Sequence, residues 1–436
     1  MKRLILEEFF AWKESKDRRP LVLKGARQVG KTWLMQEFAQ KAYKKSVYIN
    51  FEDSPRAAAI FDQDFNIDRI LFALKTETGT DIDENTLILF DEIQAAPRAL
   101  TSLKYFHEKA PQYHIIAAGS LLGIAMHKGT SFPVGKVNFL EIHPLTFVEF
   151  LIAIGEEKLA SLLQSKNYDT IAVFKDKLND LLKLYYIVGG MPGVVSAFLE
   201  NRNLAAARKT QENILESYDN DFSKHAPIDE VPRIRLVWKS IPAQLSKESK
   251  KFIYGMLKTG SRAKTFEMAL EWLKDAGLIT KVHRIKKADF PLSAYEDFSA
   301  FKVFMVDVGL ICAMAKVPVQ IILEGSRIFE EFKGAITEQY VFQQMSCNKD
   351  LLIYYWSAAN SSGELDFIVQ DGEKIIPIEV KAEENLQSKS LRYFVQSNTG
   401  LKGIRFSMQN YRKQDWMENI PLVMCGITNI FITNHD

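Results

Sequence analysis

The sequence predicts an α/β protein in several parts: a parallel-sheet domain with a phosphate-binding loop, a helical and winged-helix middle, and a C-terminal α/β domain. Three observations predict this. Gly25-Ala26-Arg27-Gln28-Val29-Gly30-Lys31-Thr32 fits G-x-x-x-x-G-K-[ST], with an apolar run before it and a helical pattern from Trp33 after it. An apolar run, Thr86-Leu87-Ile88-Leu89-Phe90, ends in Asp91 and Glu92. Far downstream, two apolar runs flank Asp371-Gly372, the pattern of a β-hairpin.

The loop comes first because its context is complete. Pro20-Leu21-Val22-Leu23 reads as a buried strand, and Leu34, Phe38 and Ala39 lie at helical spacing. Strand, glycine-rich loop and helix let backbone N–H groups surround phosphate oxygens at a helix N-terminus. Lys31 would reach the β- and γ-phosphates, and Thr32 would give an oxygen to Mg²⁺. The run 86–90 reads as a second buried strand, and ligands bind off the carboxyl ends of parallel strands. Asp91 would hold Mg²⁺ and Glu92 would polarise the attacking water. A third strand at 114–118 leads to Ser120, a candidate sensor of the γ-phosphate or a plain turn serine. The candidate nucleotide set is therefore residues 25–33 with Asp91, Glu92 and Ser120, and the expected cofactors are ATP and Mg²⁺.

Composition narrows the class. The chain has 436 residues, 47% of them hydrophobic and 25% charged, as in ordinary globular proteins. Net charge is only +2, so any basic surface is local. Three separated cysteines, Cys312, Cys347 and Cys425, lack metal-ligand spacing and suggest a reduced compartment. The N-terminus meets acids after three apolar residues, unlike a signal peptide. No apolar window is long enough to span a bilayer. A cytoplasmic protein without a membrane partner is expected.

Strand-like runs at 21–23, 46–51, 87–90, 115–118 and 137–140 alternate with amphipathic helices, which places a parallel-sheet domain at 1–150. A helical segment follows at 151–225, broken by Gly189-Gly190-Met191-Pro192-Gly193. Residues 226–300 suit a winged helix. Within 233–264, Arg233, Arg235, Lys239, Lys247, Lys250, Lys251, Lys258, Arg262 and Lys264 are opposed only by Glu248. A helix initiated at Ser261–Thr265 carries Phe266, Ala269, Leu270 and Leu273 on one side and Lys264, Glu267 and Lys274 on the other. Ala276-Gly277 ends it and a strand begins at Leu278. DNA contact and plain packing are both open for this element, and Glu267 is a poor neighbour for phosphate.

The last part, 301–436, carries a second constellation. An antiparallel pairing about Asp371-Gly372 brings Asp366 close to Glu379 and Lys381, which share one face. Two carboxylates and a lysine suit a second Mg²⁺ or Mn²⁺ and phosphodiester hydrolysis. A helix at 334–341 would add Glu338 as a ligand. Solvated charges on a hairpin are the competing reading.

The loop at 25–32, Asp91-Glu92-Ile93-Gln94 and Gly119-Ser120 resemble a bacterial and archaeal family of AAA-type ATPases. That family carries a C-terminal domain of unknown function with a restriction-endonuclease-like core. The resemblance continues through Phe132-Pro133-Val134-Gly135-Lys136-Val137, His143-Pro144-Leu145-Thr146-Phe147-Val148-Glu149-Phe150, Gly189-Gly190-Met191-Pro192 and residues 301–310. Glu338, Asp366, Glu379 and Lys381 resemble the PD-(D/E)xK nuclease signature. The resemblance implies that the acids bind metal and that Lys381 assists hydrolysis. Lys136 stands where the family usually has arginine, and lysine does not replace an arginine finger at a bidentate site. Arg98 and Arg56 are the other finger candidates. Two functions follow as expectations: an ATPase coupled to a nuclease-like domain acting on DNA or RNA, or an ATP-gated interaction protein whose nuclease-like domain is silent and docks a protein partner or another copy.

Overall fold

The computed structural model describes residues 1–120, 122–123, 133, 135–247, 250–260, 262–324, 330–358, 363–382 and 388–427. Expectations placed on Phe132, Val134, Glu248 and Ser261 lie outside the described residues. The chain forms two compact units. One comprises 3–143 with 275–278; the other comprises 144–274 and 279–436 with the first two residues.

In the first unit, β1 (Leu21–Lys24), β2 (Lys45–Asn50), β3 (Thr86–Asp91), β4 (His114–Ala118) and β5 (Asn138–Glu141) form a sheet in the order β2-β3-β4-β1-β5. All pairings are parallel. β3 is buried along its whole length, which explains its unbroken apolar run. Helices Lys31–Ala42, Ile67–Thr78 and Pro97–Lys109 connect the strands. Ile70, Leu74, Leu103 and Phe106 from two of these join Ile88, Phe90 and Ile115 in one apolar core. The order inserts only β4 between the loop-bearing β1 and the acid-bearing β3. All three strands end at the same edge, and their parallel register brings those ends together.

The second unit opens with helices Phe147–Ala153, Lys175–Val188, Pro192–Asn201, Leu204–His225 and Val231–Leu245. Then come β6 (Ile279–Ile285), β7 (Glu296–Met305), β8 (Leu351–Ser357), β9 (Glu364–Asp371), β10 (Lys374–Lys381), β11 (Gly403–Ser407), β12 (Arg412–Lys413) and β13 (Met417–Pro421). They form one mixed sheet, ordered β12-β13-β11-β10-β9-β8-β6-β7. The expected boundary at 300 therefore falls inside β7. The strands of the expected winged helix are not a free wing: β6 pairs antiparallel with β7 and parallel with β8 at Arg284↔Tyr355 and Ile285↔Trp356. Val303, Phe304 and Met305 are buried, so this pair needs an apolar partner surface.

Buried polar side chains bolt the helical segment to the long helix Glu330–Met345. Asp307 accepts from Gly190 N–H at 2.7 Å and Leu310 N–H at 3.0 Å, and Gln343 donates to it at 3.1 Å. Gln344 donates to the Tyr185 hydroxyl at 3.2 Å and accepts from Phe147 N–H at 2.8 Å. Burial raises the Asp307 pKa despite these donors. The Gly-Gly-Met-Pro and Asp-Val-Gly-Leu motifs are thus structural, each satisfying polar groups that would otherwise be buried unpaired. Among the described residues no single helix is long and apolar enough to cross a membrane. Helices Lys175–Val188 and Pro192–Glu200 pass by composition only as a pair bent by 114°.

Candidate functional site

β1 delivers the chain into the glycine-rich loop at the carboxyl edge of the parallel sheet. Gly25 has φ 137°, and a Cβ there would lie 2.3 Å from the Ile142 carbonyl oxygen. Gly30 has φ 93° and opens the helix Lys31–Ala42. Only glycine meets both demands without strain. Arg3 fixes the loop from outside, donating to Val29 O at 3.2 Å and His143 O at 2.6 Å. Ala26 and Val29 are buried, Arg27 is half-buried, and Gln28 and Trp33 are exposed. Lys31 is buried, and its ammonium donates to the carbonyls of Gly25 (2.9 Å) and Ala26 (2.8 Å). Burial lowers its pKa to about 8, against the raising influence of Glu92 and Asp91.

Asp91 gathers three neutral donors. Thr32 Oγ1 donates to its Oδ2 at 2.7 Å, Tyr48 OH to the same oxygen at 2.9 Å, and Glu92 N–H to Oδ1 at 3.0 Å. The Thr32 hydroxyl and the Asp91 carboxylate are hard oxygen donors in contact, a set that fits Mg²⁺. Glu92 has φ 48°, a left-handed conformation unusual outside glycine. Its Oε2 accepts from Gln94 Nε2 (2.5 Å), Ser120 Oγ (3.1 Å) and Ser120 N–H (3.4 Å). The expected nucleotide residues therefore converge on one edge.

No sequence motif marks Tyr48 or Arg3, and Gln94 enters only as part of the run Asp91-Glu92-Ile93-Gln94. Tyr48 becomes legible only once the strand pairing is known. It lies on β2, whose register sets it beside Leu89, two residues before Asp91 and on the same face.

The finger candidates separate. β5 pairs with β1 from Leu21↔Asn138, so Lys136 precedes the amino ends of the strands. A four-residue strand, about 13 Å long, lies between it and the loop. Lys136 is also paired with Glu108 at 3.0 Å. It cannot serve the nucleotide site of its own chain. Arg98 begins the helix that follows β3, donates to Phe61 O at 2.8 Å and sits 4.7 Å over the Phe65 ring. Arg56 is exposed on the short helix Pro55–Ala59.

In the second unit the expected hairpin forms, with Lys374↔Asp371 flanking the turn. Its register places Glu379 next to Asp366, and Asp366 Oδ2 accepts from Val380 N–H at 2.7 Å. Lys381 pairs with Glu379 Oε1 at 2.9 Å, while Glu379 Oε2 is buried with no hydrogen-bond partner. Glu338 is fully buried on the helix Glu330–Met345, but its partners are lysines. Lys302 Nζ lies 2.9 Å from Glu338 Oε1 and 2.7 Å from Glu364 Oε1, and Lys250 pairs with Glu338 Oε2. Burial works against ionisation of Glu338, yet the two lysines bring its pKa below the usual value. Burial, then the nearby Glu338, raises the Asp366 pKa to about 6. β11 sets the buried Arg405 beside Glu379 in register, held by Asn419 Oδ1 at 2.8 Å and Ser388 Oγ at 3.2 Å.

This arrangement does not fit the second metal expected at Glu338, Asp366 and Glu379. Among the described residues no three His, Cys, Asp or Glu side chains converge as a metal-binding group. The sequence reading could not see Lys302, because nothing in its strand marks it as a partner of a helix beginning at Glu330.

The basic stretch is also altered. Arg233 pairs with Glu230, Arg235 with Asp219 at 2.8 Å, and Lys250 with Glu338. On the helix Ala263–Asp275, Glu267 and Glu271 each hold Lys281 at 2.6 Å, and Lys274 pairs with Glu271 at 3.1 Å. On the face expected to meet nucleic acid, Glu267 is thus engaged with β6 and Lys274 with its own helix.

Comparison with known proteins accords with the first unit. Residues 17–151 match the family model of an AAA domain, a span that holds the loop, Asp91, Glu92 and Ser120. This part of the chain therefore matches an AAA domain model and carries its P-loop sequence. Residues 179–320 and 333–425 match two domains of unknown function, DUF8612 and DUF4143. No curated protein matches the chain. Among solved structures the chain is similar to a Walker-type ATPase of Pyrococcus abyssi, at 16% identity and TM-score 0.45, over 71% of this chain and 95% of that one. It is also similar to the Orc1 protein of Aeropyrum pernix, solved in complex with DNA, at 11% identity and TM-score 0.28, over 72% and 91% of the two chains. Cdc6p from Pyrobaculum aerophilum is similar at 12% identity and TM-score 0.24, over 70% and 88%.

Proposed function

We propose that the protein is a Mg²⁺-dependent ATPase whose nucleotide cycle controls a nuclease-like C-terminal domain. The observation that carries the ATPase reading is the 2.7 Å hydrogen bond from Thr32 to Asp91, which ties the phosphate loop to the acid strand. The loop N–H groups of 25–32 would hold the triphosphate, with Lys31 leaving its loop carbonyls for the β- and γ-oxygens. Thr32 and Asp91 would hold Mg²⁺, which when bound draws charge from the transferred phosphoryl group. Glu92 would orient and deprotonate the attacking water once released from Gln94 and Ser120. Ser120, freed by the same movement, would face the γ-phosphate.

The C-terminal reading rests on residue types: Asp366, Glu379 and Lys381 stand side by side on one sheet face, with Glu338 behind them. DNA or RNA is the substrate class such chemistry serves. A specific observation favours the second reading, a silent domain that docks a protein: Lys250 and Lys302 already neutralise Glu338. Metal-dependent cleavage of single- and double-stranded DNA and RNA, with and without ATP, separates the two. Cleavage by the wild type that Asp366→Asn abolishes supports the nuclease; intact ATP turnover with no cleavage favours docking.

A further inference from the structure

The mixed sheet of the second unit protects its outer edges and leaves an internal seam open. At one end β12 is only two residues long and both are basic, Arg412 and Lys413, which discourages a further strand. At the other end the edge of β7 is engaged at Phe301, whose carbonyl accepts from Phe252 N–H at 2.8 Å. Between β6 and β8 the parallel pairing covers only Arg284↔Tyr355 and Ile285↔Trp356. Continued in that register, Thr280 to His283 would face Leu351 to Tyr354. Both stretches are strand, yet no ladder joins them. β7 holds the far side of β6, and β9 holds the far side of β8. The two strands therefore part, and the wedge between them opens into a cavity of about 470 Å³. Four consecutive β8 residues, Leu351-Leu352-Ile353-Tyr354, line it. Successive side chains of a strand point to opposite faces, so four in a row put the backbone edge of β8 on the cavity.

We propose that this wedge is a docking slot for an extended segment of a protein partner, taken up as an added strand with a basic side chain beside an apolar one. Among the described residues, the facing sides of 280–283 and 351–354 have no strand partner. An inserted strand offers N–H and C=O groups to both. The β8 side carries no charge or proline of the kind that blunts a bare edge; it reads Leu-Leu-Ile-Tyr. Charge selects the occupant. Glu267, Glu271 and Glu296 line the cavity against the ammonium groups of Lys274 and Lys281, which leaves an excess of acid. Lys281 is held between Glu267 and Glu271 at 2.6 Å, and Lys274 lies on Glu271, so both ammonium groups are engaged within the wall. Glu296 faces the imidazole of His283. At the rim Phe298 is 74% exposed and Leu352 43% exposed, a place for an apolar side chain. A nucleic-acid backbone would meet like charge here. This rests on the docking reading of the second unit and gives that reading its surface.

The test is selection of a library of random short peptides on the immobilised full chain, followed by hydrogen exchange of the chain with and without the enriched peptides. The enriched sequences should alternate apolar residues with lysine or arginine. They should slow amide exchange at 280–283 and 351–354 in the wild type. Phe298→Ala and Leu352→Ala, both at exposed side chains, should each weaken binding by about 10-fold. Enriched peptides that leave exchange at both segments unchanged overturn the wedge while leaving docking elsewhere on the unit intact. No enriched peptide at all overturns both the wedge and the docking reading. Protection of both segments that appears without peptide, as the chain is concentrated, assigns the wedge to a second copy and overturns the partner.

Discussion

The protein holds two groups of acids that are treated in opposite ways. In the first unit Asp91 and Glu92 are met by hydroxyls, an amide and backbone N–H groups. In the second, Glu338 and Glu364 are met by ammonium groups. Neutral donors orient a carboxylate and leave its charge available to a cation. Ammonium groups cancel that charge. The first site therefore keeps its charge for the Mg²⁺ proposed there, whereas in the second Glu338 and Glu364 are already countered by Lys250 and Lys302. The same residue types at readable spacings do not make the same site.

The largest expected effect would break the first half of this comparison. Lys31→Ala should lower ATP turnover by about 10³-fold or more, because it removes the positive charge from the transferred phosphate; turnover near wild type would show that the loop is not the catalytic site. Next comes the balance in the second unit. Lys302→Met should destabilise the chain by about 3–5 kcal/mol in denaturant unfolding, since Glu338 and Glu364 would lose a buried partner. Little change would mean that these carboxylates are already neutral.

Glu92→Gln tests the division of labour within the nucleotide site. Hydrolysis should slow by about 10²-fold or more while nucleotide affinity stays within a few-fold of wild type. Parallel loss of both would assign Glu92 to binding. The smallest effect concerns Asp366, whose folded pKa of about 6 stands above its ordinary value. A raised carboxyl pKa means that the folded state holds the proton more tightly. Its contribution is present at low pH and is lost as pH rises through 6. Asp366→Asn should therefore stabilise the chain by about 1–2 kcal/mol at pH 7, with the gain vanishing below about pH 4. A gain that persists at pH 4 would place its origin elsewhere.

Much of this was legible in the chain because it is local. The loop at 25–32 announces itself by two glycines, a lysine and a threonine within eight positions. The hairpin about Gly372 needs only its turn and the alternation on either side. The winged helix shows the limit of such reading. Its helix, Ala263–Asp275, and its strand from Ile279 both form where the periodicity puts them. What the local pattern could not express is that β6 has a further neighbour, β8, some seventy positions on. Glu267 was visible as a poor phosphate contact, but its true partner, Lys281, emerged only with the packing of helix on strand.

The sequence by itself determined the phosphate loop, the acid strand, the alternating strands and helices of the first unit, and the carboxylates of the hairpin. Each depends on residues a few positions apart, where backbone geometry fixes which side chains share a face. The tertiary structure alone decided that Tyr48 would reach Asp91, that Lys136 would stand at the far end of the strands, and that Lys250 and Lys302 would both meet Glu338. Those outcomes follow from strand order and register between distant segments. Hydrophobic periodicity records which face of an element is buried, but not which element will cover it.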